Sequence, residues 1–188
     1  MKYSYQITEY VHRILEQHIE AGDVCVDATV GKGNDTEFLK RIVGDSGKVY
    51  GFDIQKEAVE ATTDRMEKAG LSNGTWLILD SHENMADYVK EEVSAITFNF
   101  GYLPGGNHEI ATKPDTSIKA IQAGLLLLKK EGIMSLCIYS GGDSGYEERD
   151  SILEYLKNLD PKKYLVILSQ YYNRENDPPI PAFVIKLK

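Results

Sequence analysis

Four short stretches carry residue types that can do chemistry at spacings that let them act together. "VDATVGKGNDT" ends an apolar run in Asp27 and continues through Thr29 to Gly31 and Gly33, with Asn34, Asp35 and Thr36 opening a helical pattern. Glycines there admit positive φ and let a ligand approach the backbone, while the helix opening offers free N–H groups. "GFDIQ" places Asp53, followed by Ile54 and Gln55, at the end of the next apolar run, 20 positions after Gly33. A carboxylate so placed takes hydrogen bonds from the vicinal hydroxyls of a ribose. "LILDSHENM" ends a third run in Asp80, followed by Ser81 and His82, where a carboxylate receives the hydrogen bond of an adenine amino group. Together the three ends describe a nucleoside site. In open α/β sheets such sites lie beyond the carboxyl ends of the strands, where strand order reverses.

Two cofactor classes share these features. A dinucleotide fingerprint is G-x-G-x-x-G with an acidic residue ~20 positions on, and "GKGNDT" supplies Gly31 and Gly33 with Thr36 at the third small position. The spacing fits either class. Asp27 separates them: a carboxylate ahead of the glycine loop opposes a pyrophosphate but suits a cofactor bearing an ammonium and a sulfonium. The expected cofactor is S-adenosylmethionine.

"NFGYLPGG" supplies the fourth stretch. It follows the apolar run "VSAITF" and ends it with Asn99, then Phe100, Gly101, Tyr102 and a loop containing Gly105 and Gly106. Beside a bound methyl donor, the Asn99 side chain and the Phe100–Gly101 backbone would face the acceptor atom. "NFGY" resembles the Asn- or Asp-Pro-Pro-Tyr loop of amino-methylating enzymes, with Phe and Gly in place of the prolines. A glycine-rich turn capped by Asn is the purely structural alternative. Tyr102 is placed to stack on a base. His108 and Lys113 in the following loop, Tyr139 after the fifth apolar run and Arg174 in the late "QYYNRENDPP" are the remaining substrate-binding candidates. His12 and His18 read as helix-surface residues. Cys25 and Cys137 each lie in an apolar run and lack metal-ligand spacing, so both are expected as buried thiols, and no metal site is expected.

These residues need a sheet to bring them together. "TEYVHRILEQHI" has helical spacing after Thr8 as N-cap. "VCVDAT", "KVYGFDI", "TWLILD", "SAITFNF" and "IMSLCIYSG" read as strands. "DTEFLKRIV", "KEAVEATTDRMEKAG", "HENMADYV", "TSIKAIQAGLLLLKKEG" and "YEERDSILEYLKNL" read as helices between and after them. "YLVILSQYYN" and "AFVIKLK" are separated by too few residues for a crossover helix, so they pair as an antiparallel hairpin. The expected fold is α/β: a Rossmann-like, seven-stranded class I methyltransferase sheet with helices on both faces, closed by a C-terminal antiparallel hairpin, in a single domain over 1–188.

Composition sets boundary conditions. The 42% hydrophobic and 27% charged content is that of an ordinary globular protein, and no apolar run approaches the ~20 residues of a membrane span. The amino-terminal "MKYSYQITEYVHRIL" lacks the apolar core of a secretory signal, which gives a cytoplasmic expectation. A net charge of −8 runs against a polyanionic partner, since nucleic-acid binding draws on Lys and Arg.

"VDATVGKGNDTEFL", "GFDIQ", "NFGYLPGG", "TKPDTSIKAI" and "NRENDPPIPAFVIK" together resemble the rRNA methylase family of small bacterial proteins, over essentially the whole chain. The resemblance implies transfer of a methyl group from S-adenosylmethionine to the exocyclic amine of 5-aminomethyl-(2-thio)uridine at the tRNA wobble position. It further implies the anticodon arm of tRNA as partner, and a homodimer. Where the family is expected to carry a histidine-containing sequence after the fifth strand, this chain has "YSGGDSG" at 139–145, so no histidine role carries over. Three readings stand at this point: the tRNA-directed enzyme, an rRNA or small-metabolite amine methyltransferase, and a nucleotide-dependent oxidoreductase or catalytically silent binding module.

Overall fold

A computed structural model describes residues 5–101, 114–140, 145–175 and 177–188. Tyr102, Gly105, Gly106, His108 and Lys113 lie outside the described residues. Strands β1 (Val24–Asp27), β2 (Lys48–Asp53), β3 (Thr75–Leu79), β4 (Val93–Phe100), β5 (Leu128–Ile138), β6 (Tyr164–Leu168) and β7 (Ile180–Lys186) form one sheet in the order β3-β2-β1-β4-β5-β7-β6. The first five are parallel to one another, and β7 lies antiparallel between β5 and β6. The seven-stranded arrangement and antiparallel ending are those expected.

Parallel strands joined by helices must bury both faces, and β1 shows how the sequence does it. Alternation sends Cys25 to one side and Val26 to the other. Cys25 joins Val11, Leu15, Leu39, Val43 and Val49 in a core beneath helices α1 (Ile7–Leu15) and α2 (Asn34–Val43). Val26 joins Ile96, Phe98, Ile121, Leu136 and Ile152 on the opposite face, covered by α4 (Met85–Tyr88), α5 (Pro114–Leu127) and α6 (Gly145–Lys157). Helix α3 (Lys56–Ala69) covers β2 and β3. Both cysteines are buried and free, and burial pushes their thiols up, Cys25 to about 12.

Strand order reverses between β1 and β4, so the crevice beyond those two strands is where the fold exposes backbone ends to a ligand. Several boundaries differ from the sequence reading. Helix α1 begins at Ile7 with Gln6 as its N-cap rather than Thr8. Helix α5 stops at Leu127, not at Gly132, because Leu128 enters the sheet opposite Val93. The polar residues that follow loop out, with Glu131 at φ 65, before Ile133 regains register with Ala95. Strand β6 ends at Leu168, and "QYYN" turns away, closed by the Arg174 N–H on the Tyr171 carbonyl.

Candidate active site

Gly33 is the N-cap of α2 and adopts φ 74; a Cβ there would lie 2.6 Å from Thr62 Cγ2. Only glycine fits, because the loop is pressed against α3. The Thr62 hydroxyl donates to the Gly31 carbonyl at 3.2 Å, and Arg65 donates to the Lys32 carbonyl at 3.0 Å and to Asn34 Oδ1 at 2.6 Å. Thr62 and Arg65 brace the cradle from a helix whose periodicity marks it only as a cover, so nothing local in the sequence singles them out.

Asp53, at the tip of β2, is half-buried and accepts the Gly31 N–H on Oδ2 and the Gln55 N–H on Oδ1, each at 2.9 Å. One carboxylate therefore latches the glycine loop and keeps acceptor capacity for further donors, since each oxygen has two lone pairs. Ile54 is 59% and Leu79 is 52% exposed, on the adjacent strand ends that carry Asp53 and Asp80. Two large apolar side chains left open beside two carboxylates suit a flat base with a polar edge. Ile54 was among the expected residues. Leu79 was not, since "TWLILD" reads only as a strand.

Asp80 accepts hydrogen bonds from the Ser81 N–H at 2.7 Å, Asn84 Nδ2 at 3.0 Å and the Tyr88 hydroxyl at 2.8 Å. These donors, Tyr88 foremost, hold its carboxyl below the usual range. Ser81 follows in the turn. His82 faces inward: its Nδ1 lies 3.1 Å from the Ala28 carbonyl, and its ring meets Phe98 and Phe100 edge-on. Burial depresses its pKa, so it packs as a neutral ring behind the loop.

Asp27 is also placed more deeply than its sequence position suggests. The side chain is fully buried. It accepts the Thr36 hydroxyl on Oδ2 at 2.6 Å and the Thr29 N–H on Oδ1 at 3.2 Å, with the Thr97 hydroxyl 3.4 Å away. Burial, joined by the nearby Asp35 carboxylate, pushes its pKa up to about 7 against those hydrogen bonds. Asp27 thus underlies the crevice as a buried, titratable charge rather than lining it openly.

Asn99 stands at the carboxyl end of β4. Its N–H donates to Thr29 Oγ1 at 2.8 Å, and its Nδ2 donates to Asp35 Oδ2 at 2.8 Å. The other Asp35 oxygen accepts from His12 Nε2 at 2.7 Å. His12 is therefore no simple helix-surface residue; its ring stacks on Phe38, centroids 3.6 Å apart and planes 4° from parallel. Phe100 is buried in the core, stacked on Phe98, and its carbonyl accepts the Tyr139 N–H at 3.2 Å, so the sheet engages that oxygen. Gly101, at φ 143, lies against Tyr139, whose Cβ would be 3.2 Å from an added methyl group. Tyr139 is half-buried beside the crevice, its phenol pushed up to about 12 by burial. Arg174 is exposed in the turn after β6, and β6 stands three strand positions from β4, a lateral span of about 14 Å. The geometry thus gathers Asp27, Thr29, Gly31, Gly33, Asp35, Thr36, Asp53 and Asn99, and leaves Arg174 at the far rim.

The sequence model of the family described as "Putative rRNA methylase" matches residues 49–185. A chloroplastic tRNA (mnm(5)s(2)U34)-methyltransferase from Arabidopsis thaliana is 37% identical over 191 residues, covering 96% of this chain and 69% of the relative. A crystal structure of a "putative rRNA-methylase" from Clostridium thermocellum superposes with a TM-score of 0.96 at 41% identity, covering 98% of this chain and 100% of the other. A "putative methyltransferase" from Streptococcus mutans, solved in complex with SAH, gives 0.89 at 35% identity, covering 98% and 100%. With a family model matched over residues 49–185 and a relative 37% identical along 96% of this sequence, the chain belongs to the rRNA methylase family and is a methyltransferase.

Proposed function

We propose that the protein methylates the exocyclic amine of 5-aminomethyl-(2-thio)uridine at the wobble position of tRNA, drawing the methyl group from S-adenosylmethionine. The observation that carries this reading is Asn99. Its side-chain NH2 is held by Asp35 and its backbone N–H by the Thr29 hydroxyl at the mouth of a nucleoside crevice, in a chain whose relative along 96% of its length is a tRNA wobble-uridine methyltransferase.

The residues present fit the cofactor. Asp53 keeps acceptor capacity for ribose hydroxyls, Ile54 and Leu79 offer apolar cover for a base with Asp80 at its edge, and the Gly31–Gly33 loop admits close backbone approach. Asp27, beneath the loop, gains by ionising when a cation lies above it. When bound, the cofactor supplies a methyl group on a sulfonium that is already electrophilic, so the protein's work is alignment. Asn99 Oδ1 accepts an N–H of the acceptor amine and points its lone pair into the crevice. The amine must arrive neutral, because an ammonium has no lone pair; its proton leaves to water, and no dedicated general base is assigned.

A −8 chain needs local cations to hold RNA. Arg149 lies over the Tyr146 ring at 4.9 Å and Arg13 over the Tyr5 ring at 5.2 Å. These two arginine–tyrosine pairs, with Arg149 also paired to Asp150, and the exposed Arg174 supply cations and rings suited to phosphates and unstacked bases. Leu165, Ile167 and Leu168, exposed on the edge strand β6, support a homodimer through that edge. The whole 1–188 chain is taken as one domain, working wherever its tRNA is modified, the cytoplasm in a bacterial cell. The net charge favours one rival, a small free amine as acceptor. Nucleoside mass spectrometry of cells lacking the gene decides between them: accumulated aminomethyl-uridine with loss of its methylated form supports the tRNA reading, and an unchanged wobble nucleoside refutes it.

A further inference from the structure

Asp35 divides its carboxylate between two elements, with Oδ1 on His12 of α1 and Oδ2 on Asn99 of β4, at 2.7 and 2.8 Å. A carboxylate only accepts hydrogen bonds, so both partners must donate: His12 through Nε2 and Asn99 through its NH2 group. An amide that gives its NH2 to Asp35 has one polar atom left, the carbonyl Oδ1. The network therefore decides which end of a nearly symmetric amide meets the acceptor.

We infer that His12 is a positioning residue for methyl transfer, acting through Asp35 to hold the Asn99 amide with its carbonyl toward the acceptor amine. Three features make the link stiff. The His12 and Asp35 side chains are only 19% and 12% exposed, so water competes little for their bond. The imidazole is fixed by its parallel stack on Phe38, one helical turn beyond Asp35 on α2. Helix α1 is itself anchored by buried Val11 and Leu15 on either side of His12. A helix outside the strand–helix alternation thus reaches the reaction site through one side chain. With Oδ1 outward the site selects an acceptor that donates N–H; with NH2 outward it would select a bare carbonyl or hydroxyl oxygen. The inference rests on the amine-acceptor reading for its consequence and on this geometry alone for the orientation.

The test uses the full chain, an anticodon stem-loop carrying 5-aminomethyl-uridine, and two substitutions. His12→Phe keeps the ring stack and removes the donor; His12→Gln offers an N–H at nearly the reach of Nε2. In H12F kcat should fall about tenfold, with KM for the RNA and cofactor affinity within about twofold, and H12Q should recover most of the loss. In parallel, the side-chain NH2 signals of Asn99 in nitrogen-15 spectra, assigned by their absence in Asn99→Ser, should shift in H12F and return toward wild type in H12Q. Unshifted amide signals in H12F overturn the inference, as does a wild-type kcat, or a fall in kcat that H12Q does not relieve. If wild type itself fails to methylate the stem-loop, the acceptor reading has failed, and the amide signals still decide the role of His12.

Discussion

The buried carboxylate under the glycine loop makes the protein's stability fall as pH rises through the neutral range. Asp27 has an ordinary value of 3.8 and is pushed to about 7 in the fold, first by burial and then by Asp35. Between those values the unfolded chain has released the proton and the folded chain still holds it. Stability therefore declines with pH at up to about 1.4 kcal/mol per pH unit, which integrates to about 2 kcal/mol between pH 5 and pH 7. For a chain of this length that is a shift of roughly 4–8 °C in unfolding midpoint. Within the window one group acts in the opposite sense. Burial depresses the pKa of His82, so its contribution is lost as pH falls below 6.5 and offsets part of the gain at pH 5. Carboxylates held low by partners, Glu37 by Arg65, Glu91 by Lys48 and Asp80 by Tyr88, lose their contribution as pH falls through and below their ordinary values of 4.5, 4.5 and 3.8. Asp27→Asn isolates the effect, because it removes the titration and leaves His82 in place. Denaturant or thermal unfolding of the apoprotein at pH 5, 6, 7 and 8 should show wild type losing stability relative to D27N across that range. Parallel curves for the two proteins would refute the burial of an ionisable Asp27.

Gly33→Ala meets both a positive φ and Thr62 at 2.6 Å, so it should destabilise the apoprotein by about 1–3 kcal/mol; an unchanged melting midpoint would contradict the cradle as described. Asp53→Ala strips the acceptor from the Gly31 and Gln55 N–H groups and should weaken S-adenosylmethionine binding by at least about tenfold in calorimetry, with unchanged affinity counting against the proposed ribose contact. Asn99→Ala should lower kcat by about a hundredfold while leaving cofactor affinity nearly intact, and a parallel loss of both would reassign the residue to cofactor binding.

Much of the architecture was legible because its signals are local. Apolar runs ended by an acidic residue, as at Asp53 and Asp80, mark strands whose tips leave the core. The few residues between β6 and β7 leave no room for a crossover helix. The Gly31–Gly33 loop was equally visible, since a need for positive φ is written in residue type. The boundary between α5 and β5 was hidden, because "GLLLLKKEG" satisfies a helical period up to the point where Leu128 pairs with Val93. His12 was misread because its partner lies 23 positions away across a helix–helix contact, and an amphipathic pattern does not say which polar residue on a helix meets another helix. Asp27 and His82 stand at strand ends that look open in sequence, yet Thr36, Thr29 and the Ala28 carbonyl draw them inward. Those arrangements depend on side-chain geometry between elements, which no spacing rule encodes.

The proposed reaction forms one bond at one nitrogen. Incubating the protein with trideuteromethyl-labelled S-adenosylmethionine and an anticodon stem-loop bearing 5-aminomethyl-uridine, then digesting to nucleosides for mass spectrometry, tests it directly. The account predicts the label on the exocyclic amine of the wobble nucleoside, and on no other base. Label on a ring atom or on another nucleoside, or cofactor binding without any transfer to the RNA, would contradict it.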